Sequence, residues 1–142
     1  KKQTTHKEKA FFALKQLEDN IYISNIKRVY VEDNLSGFMS GRTSQQTIIK
    51  LAKFNAILCF LLEDRFNVEI KSINPMTARK QVFGKARIKG KKAKVFVKEQ
   101  IERLYDTDNW CKYTIRGNWD KRNIDMYDSL VMALYGDSQN EF

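Results

Sequence analysis

The chain alternates stretches of helical and strand-like hydrophobic spacing. From about His6 to Asn20, Ala10, Phe11, Leu14 and Leu17 recur with Lys and Glu between them, which predicts an amphipathic helix ending near Asp19-Asn20. Val29-Tyr30-Val31 is a β-branched and aromatic run that predicts a buried strand, stopping at Glu32-Asp33-Asn34. Residues 35–43 hold Ser36, Gly37, Ser40 and Gly41 and predict a loop. Thr43 or Ser44 is a candidate cap for the next helix, in which Ile48, Leu51, Ala52, Leu58, Phe60 and Leu62 run on to about Asp64. That helix is apolar over much of its surface, so it is expected to be central or to lie at a subunit interface.

A second strand is predicted at Val68-Glu69-Ile70 and Ile73, closed by Pro75, whose nitrogen cannot donate to a sheet ladder. A short segment, Thr77–Val82, and a glycine-punctuated basic stretch lead to helical spacing over Ala93–Tyr105, through Val97, Ile101 and Leu104. Asp106–Arg122 is polar with aromatics interspersed, and Asn123–Tyr135 closes as a helix with Leu130, Val131 and Leu134 on one side. The expected order is helix, strand, helix, strand, helix, helix. Strands alternating with helices point to an α/β layer arrangement with parallel strands.

Length and composition fit one globular domain: 142 residues, 42% hydrophobic, six Gly and one Pro. Charge adds more. Lys and Arg number 26 against 17 Asp and Glu, giving a formal net charge of +9 and a pI near 9.6. So basic a chain calls for an anionic partner, nucleic acid first. Cys59 and Cys111 are too few for a disulfide scaffold or a zinc site, and Cys59 within Ala56–Leu62 reads as a small core hydrophobe. No run approaches the roughly 18 uninterrupted apolar residues of a membrane span. The expected compartment is reducing and cytoplasmic.

Three carboxylates stand out. Glu32 ends a predicted strand, and in open α/β sheets sites form at the carboxyl ends of strands. It is either a ligand or an ordinary turn residue. Asp125 and Asp128 are three apart, which puts both on one face of a helix. Two such charges repel each other unless a cation intervenes. Lys121 and Arg122 can supply it, as can a divalent ion, and the helix dipole also favours acids at that end. Hard oxygen ligands suit Mg²⁺ or Mn²⁺. Two such ions about 4 Å apart can activate water and stabilise the leaving oxygen in phosphodiester cleavage. Asp106, Asp108 and Asp120 are further acids close in sequence.

Arg79, Lys80, Lys85, Arg87, Lys89, Lys91, Lys92, Lys94 and Lys98 fall in a segment without an acid, interrupted by Gly84 and Gly90. This is the footprint of phosphate-backbone contact, which weakens steeply with salt; a solvated loop is the plain alternative. Phe38, between Gly37 and Met39, is a bulky residue in a predicted loop, placed either to wedge between unstacked bases or to tuck into the core. Trp110 and Trp119 read as packing, and His6 as a surface residue.

Taken in order, these motifs resemble the RuvC branch of the RNase H-like superfamily, the Holliday-junction resolvases. Val29-Tyr30-Val31-Glu32 followed by a loop and a long apolar helix is similar to that family's central strand, second acidic ligand and dimer-forming helix. Arg79-Lys80-Gln81-Val82-Phe83-Gly84 is similar to its lysine-bearing segment. Ile124-Asp125-Met126-Tyr127-Asp128-Ser129-Leu130 resembles its closing acidic helix. The likeness covers about residues 6–136. It implies an RNase H-like fold, a central mixed sheet flanked by helices, in one nuclease domain over 1–142. It implies Glu32, Asp125 and Asp128 as ligands of Mg²⁺, with Mn²⁺ able to substitute. Lys80 and Lys94 would act on the scissile phosphate, and Phe38, or Leu35, would stand where the family inserts an aromatic. The implied protein is a homodimer that nicks branched DNA, a four-way junction, in a bacterial, phage-infected or virus-infected cell.

The family's first strand, with its aspartate, has no match ahead of Glu32, so either the first strand or strands lie outside this chain, or the chain cannot bind metal fully and is expected to bind DNA without cutting it. Two other readings compete: the nuclease domain of a phage packaging terminase, although no GxxxxGK[ST] motif occurs, and a non-catalytic basic nucleic-acid-binding module.

Overall fold

The computed structural model describes residues 4–20, 26–33 and 44–139. Its elements run α1 (His6–Asn20), β1 (Arg28–Glu32), α2 (Gln45–Phe66), β2 (Glu69–Ile73), α3 (Pro75–Phe83), α4 (Ala93–Leu104) and α5 (Asn123–Ser138). The chain is a mixed α/β protein that divides into two compact units, Lys1–Ser72 and Ile73–Phe142.

The first unit is a strand–helix–strand repeat preceded by a helix. Thr5 and Glu8 close a reciprocal cap on α1. The Glu8 N–H donates to Thr5 Oγ1 at 3.1 Å and the Thr5 N–H donates to Glu8 Oε2 at 2.7 Å. Those bonds, the backbone one foremost, pull the Glu8 carboxyl below its ordinary range. Ser44 caps α2 by accepting the Thr47 N–H, and Asn67 ends it in the left-handed conformation at φ 51°. β1 and β2 pair in parallel as a two-stranded sheet among the described residues. A parallel pair needs a crossover, which α2 supplies. The core of this unit is small: Leu14, Leu62 and Val68, with Leu17, Val29, Leu58 and Ile70 packed around them. Arg65 ties α2 to Glu18 of α1 at 2.6 Å, and Arg28 ties β1 to Glu69 of β2 at 2.7 Å. Of the apolar residues assigned to α1, Ala10 and Leu14 are buried whereas Phe11 stays exposed. On α2, Ile48 and Leu62 are buried, and Ile49, Leu51 and Phe60 remain at least about half exposed.

The second unit is helical, and it corrects one expectation. Pro75 does not merely close β2; it opens α3. The Asn74 side chain accepts the Met76 N–H at 2.8 Å, and Pro75 occupies the first turn, where a missing N–H costs nothing. The segment Thr77–Val82 is therefore the body of a helix, and three helices rather than two follow β2. Gly84 ends α3 at φ 72°, a conformation that side-chain-bearing residues resist.

α5 is the hub, packed against both α3 and α4. Tyr127 and Val131 of α5 and Val97 and Ile101 of α4 are fully buried, and Phe83 meets Phe96 edge-on at 5.7 Å. The polar stretch ahead of α5 folds into a tight antiparallel bridge, Tyr113 to Trp119. Asn123 staples that stretch to α5. It is wholly buried, its Oδ1 accepts the Lys112 N–H and its Nδ2 donates to the Lys112 carbonyl, each at 2.8 Å. Both backbone groups are thereby satisfied away from water. No helix among the described residues is long and apolar enough to cross a membrane.

Candidate functional site

The first turns of α5 carry the two candidate aspartates. Asp125 lies in the opening turn and Asp128 one turn on, so the helix holds both carboxylates on one side, as their spacing requires. Their surroundings differ. Asp128 is half-buried and its Oδ1 accepts from Arg79 Nη2 at 2.7 Å, a bond that joins α5 to α3. The Arg79 side chain is 13% exposed, and its Nε is buried without a hydrogen-bond partner. A guanidinium so placed neutralises Asp128 at close range and relieves the repulsion between the two aspartates. Lys121 and Arg122, the neutralising cations nearest in sequence, are not the ones used: Arg122 grips Asp120 instead.

Asp125 is exposed, and its carboxylate has no partner among the described residues. It stands on the wall of an open cavity of about 610 Å³ lined by Tyr105, Trp110, Met126, Ser129 and Leu130. Trp110 is fixed there from behind. Its indole N–H donates to the Asp106 carbonyl at 3.1 Å, and its ring meets Tyr127 edge-on at 5.3 Å. Tyr127, between the two aspartates in sequence, points the other way. Its hydroxyl donates to Glu102 Oε1 and lies 3.0 Å from Cys111 Sγ, and burial pushes its ionisation well above the ordinary tyrosine range. Trp119 also packs on Tyr127, at 5.9 Å between centroids, and carries Lys98 Nζ at 5.3 Å from its ring. Both tryptophans are thus packing residues, as their sequence setting predicts, and Trp110 is in addition a cavity wall.

The other nearby acids have structural work. The Asp106 carboxylate accepts the Asp108 N–H in a side-chain turn. Asp120 is paired with Arg122, whose side chain and backbone N–H both donate to it and hold its carboxyl down at about 2.

The basic segment belongs to the same unit. Three of its cations are engaged: Arg79 with Asp128, Lys91 with Glu99 and Lys98 with Glu102. Acids on α4 and α5, absent from the segment itself, thus compensate part of its charge. Lys80, Lys85, Arg87, Lys89, Lys92 and Lys94 are exposed and make no ion pair among the described residues. Lys80 is on α3, and Lys94 on the first turn of α4.

Glu32 is the last residue of β1 and exposed, at the carboxyl end of a parallel strand as its sequence position predicts, but in the first unit. Phe38 and Leu35 lie outside the described residues. Two aspartates on adjacent turns give a hard cation two oxygen donors. Among the described residues no group of three or more His, Cys, Asp or Glu side chains is gathered to hold a metal ion. Sequence reasoning missed two features: Arg79 as the partner of Asp128, and the aromatic-walled cavity beside Asp125. Residues 79 and 128 are remote in sequence, so no local spacing signals either. No protein-family model, curated protein or solved structure matches the chain.

Proposed function

We propose that this chain is the nuclease domain of a metal-dependent, structure-selective endonuclease with an RNase H-like fold, acting on branched DNA such as a four-way junction. The observation that carries the reading is the pairing, in one compact unit, of a carboxylate at a cavity with a set of cations, none of which has an ion-pair partner among the described residues. Asp125, one turn from Asp128, stands in the unit that bears Lys80, Lys85, Arg87, Lys89, Lys92 and Lys94. Phosphates need the cations, and hydrolysis needs the carboxylates. The order of the motifs around Glu32, Lys80 and Asp125 resembles the RuvC resolvases and supports the same reading.

In this proposal Asp125 and Asp128 would hold Mg²⁺ or Mn²⁺, which would supply a deprotonated water as nucleophile and shield the phosphate charge. Lys80 and Lys94 bind the phosphate next to the cut. Arg79 holds Asp128 in place through α3 and spares the apo protein the repulsion of two adjacent acids. A homodimer would bring two such sites to the two strands of a junction.

The Arg79–Asp128 pair favours a second reading, a basic module that binds nucleic acid without cutting it, because a guanidinium already fills the role of the cation. The two readings separate on a labelled four-way junction and a duplex of the same sequence, with binding measured in EDTA and cleavage in Mg²⁺ and Mn²⁺. The nuclease reading expects junction preference and paired nicks. Salt-sensitive binding with no junction preference and no nicks supports the binding module.

A further inference from the structure

The cavity beside Asp125 has a definite hydrogen-bond polarity. Its apolar walls are Trp110, Tyr105, Met126 and Leu130. Its polar groups are mostly acceptors. The Asp125 carboxylate accepts only. Ser129 spends its proton on the Asp125 carbonyl, at 2.8 Å, which leaves the Oγ lone pairs for a ligand. The Trp110 N–H, the one fixed donor in the wall, is already committed to the Asp106 carbonyl. Only the Tyr105 hydroxyl is free to serve either way. A volume of about 610 Å³ falls in the range that admits a flat ring with room to spare.

A ligand complementary to these walls is planar, stacks on aromatics and presents N–H donors. An aliphatic ammonium meets the last requirement alone, and the uncompensated lysines of the same unit would repel it. A ring joined to phosphate would be attracted. We propose that this cavity receives a single unstacked nucleobase of a bound strand, and that it selects bases bearing an exocyclic amine, cytosine among the pyrimidines, over uracil and thymine. Uracil turns a carbonyl toward the acceptors where cytosine turns an amine. This rests on the nucleic-acid reading of the unit and adds to it a base-selective subsite.

The test uses the full chain in EDTA, where no cleavage occurs, and compares oligodeoxycytidine with oligodeoxyuridine of equal length by fluorescence anisotropy. The two strands carry identical phosphates and differ only on the base edge. The expected result is tighter binding of the cytosine strand by about tenfold, the scale of one base-edge hydrogen bond to a charged acceptor, with the same salt slope for both strands. Tyr105→Ala, which removes one wall of the cavity, should weaken the cytosine strand more than the uridine strand and so narrow that ratio. Ser129→Ala, which keeps the helix, should narrow it. Free deoxycytidine, lacking the phosphate contacts, should fail to compete at millimolar concentration.

Equal affinity for the two strands overturns the subsite. So does a Tyr105→Ala variant that weakens both strands alike. A free nucleoside that competes as well as the strand overturns the assignment to nucleic acid. Junction cleavage in Mg²⁺ by the same preparation reports on the nuclease reading separately, so loss of base selectivity with cleavage intact sinks the subsite alone.

Discussion

The two units use similar amounts of chain and settle it differently. The first closes a small core around Leu14, Leu62 and Val68 and leaves Phe11, Phe12, Ile49, Leu51 and Phe60 facing outward. The second buries Tyr127, Val97, Ile101, Val131 and Asn123 completely and satisfies the polar ones with named partners. The candidate site stands on the second. Asp125, Asp128 and the wall residue Trp110 all take their positions from α5 or from contacts to Tyr127. A site must be held by groups that are themselves fixed, and the second unit offers that kind of support.

The largest effect expected from this contrast is at Tyr127. Tyr127→Ala should lower the stability of the second unit by about 3–5 kcal/mol, from the lost ring and the void it leaves. Tyr127→Phe should cost about 1 kcal/mol, because Cys111 loses its hydroxyl partner while the exposed Glu102 keeps Lys98. Both tryptophans touch Tyr127, so denaturant titration followed by tryptophan fluorescence reads the change directly.

Leu62→Ala probes the first unit's core and should cost about 2 kcal/mol, the low end for a buried leucine, since several half-buried neighbours can close in. Circular dichroism at the helix band measures it. A loss equal to that of Tyr127→Ala would break the contrast.

A smaller effect comes with acid. The folded-state ionisation of Asp120 is depressed to about 2 by Arg122, below its unfolded value near 4. The pair therefore stabilises the fold fully at pH above about 5 and loses its contribution as pH falls from there toward 2. Melting temperatures of the wild type and Asp120→Asn should converge over that interval. A constant difference down to pH 2 would show that the pair is not the cause.

Least of all is expected at Phe60, where the exposed ring contributes little to the fold. Phe60→Ser should change stability by no more than about 0.5 kcal/mol.

Much of this organisation is legible in the sequence. The Ser44 cap, the span of α2, the Val29–Val31 strand and the α5 helix all follow from local spacing and cap chemistry, which act over a few residues. α3 is not legible in the same way. Pro75 reads as the end of a strand unless Asn74 is recognised as the cap that makes the proline a first-turn residue. Phe11 and Phe60 fit the apolar spacing of their helices and still face outward, because periodicity marks a face without saying how far the core extends. At the site, the one-sided placement of Asp125 and Asp128 follows from helical geometry. The Arg79 partner and the cavity do not, since both depend on how α3 and α4 pack on α5.

That packing makes Asp125 the sharper target for the central claim. Asp128→Asn would also release a buried guanidinium, confusing stability with chemistry, whereas the Asp125 carboxylate has no partner to disturb among the described residues. The decisive measurement is strand scission of a labelled four-way junction in Mg²⁺ by the wild type and Asp125→Asn, with junction affinity recorded for both in EDTA. We expect the wild type to nick the junction, and the variant to bind it with comparable affinity and leave it intact. Undiminished scission by Asp125→Asn, or none by the wild type while it binds the junction, would contradict this expectation.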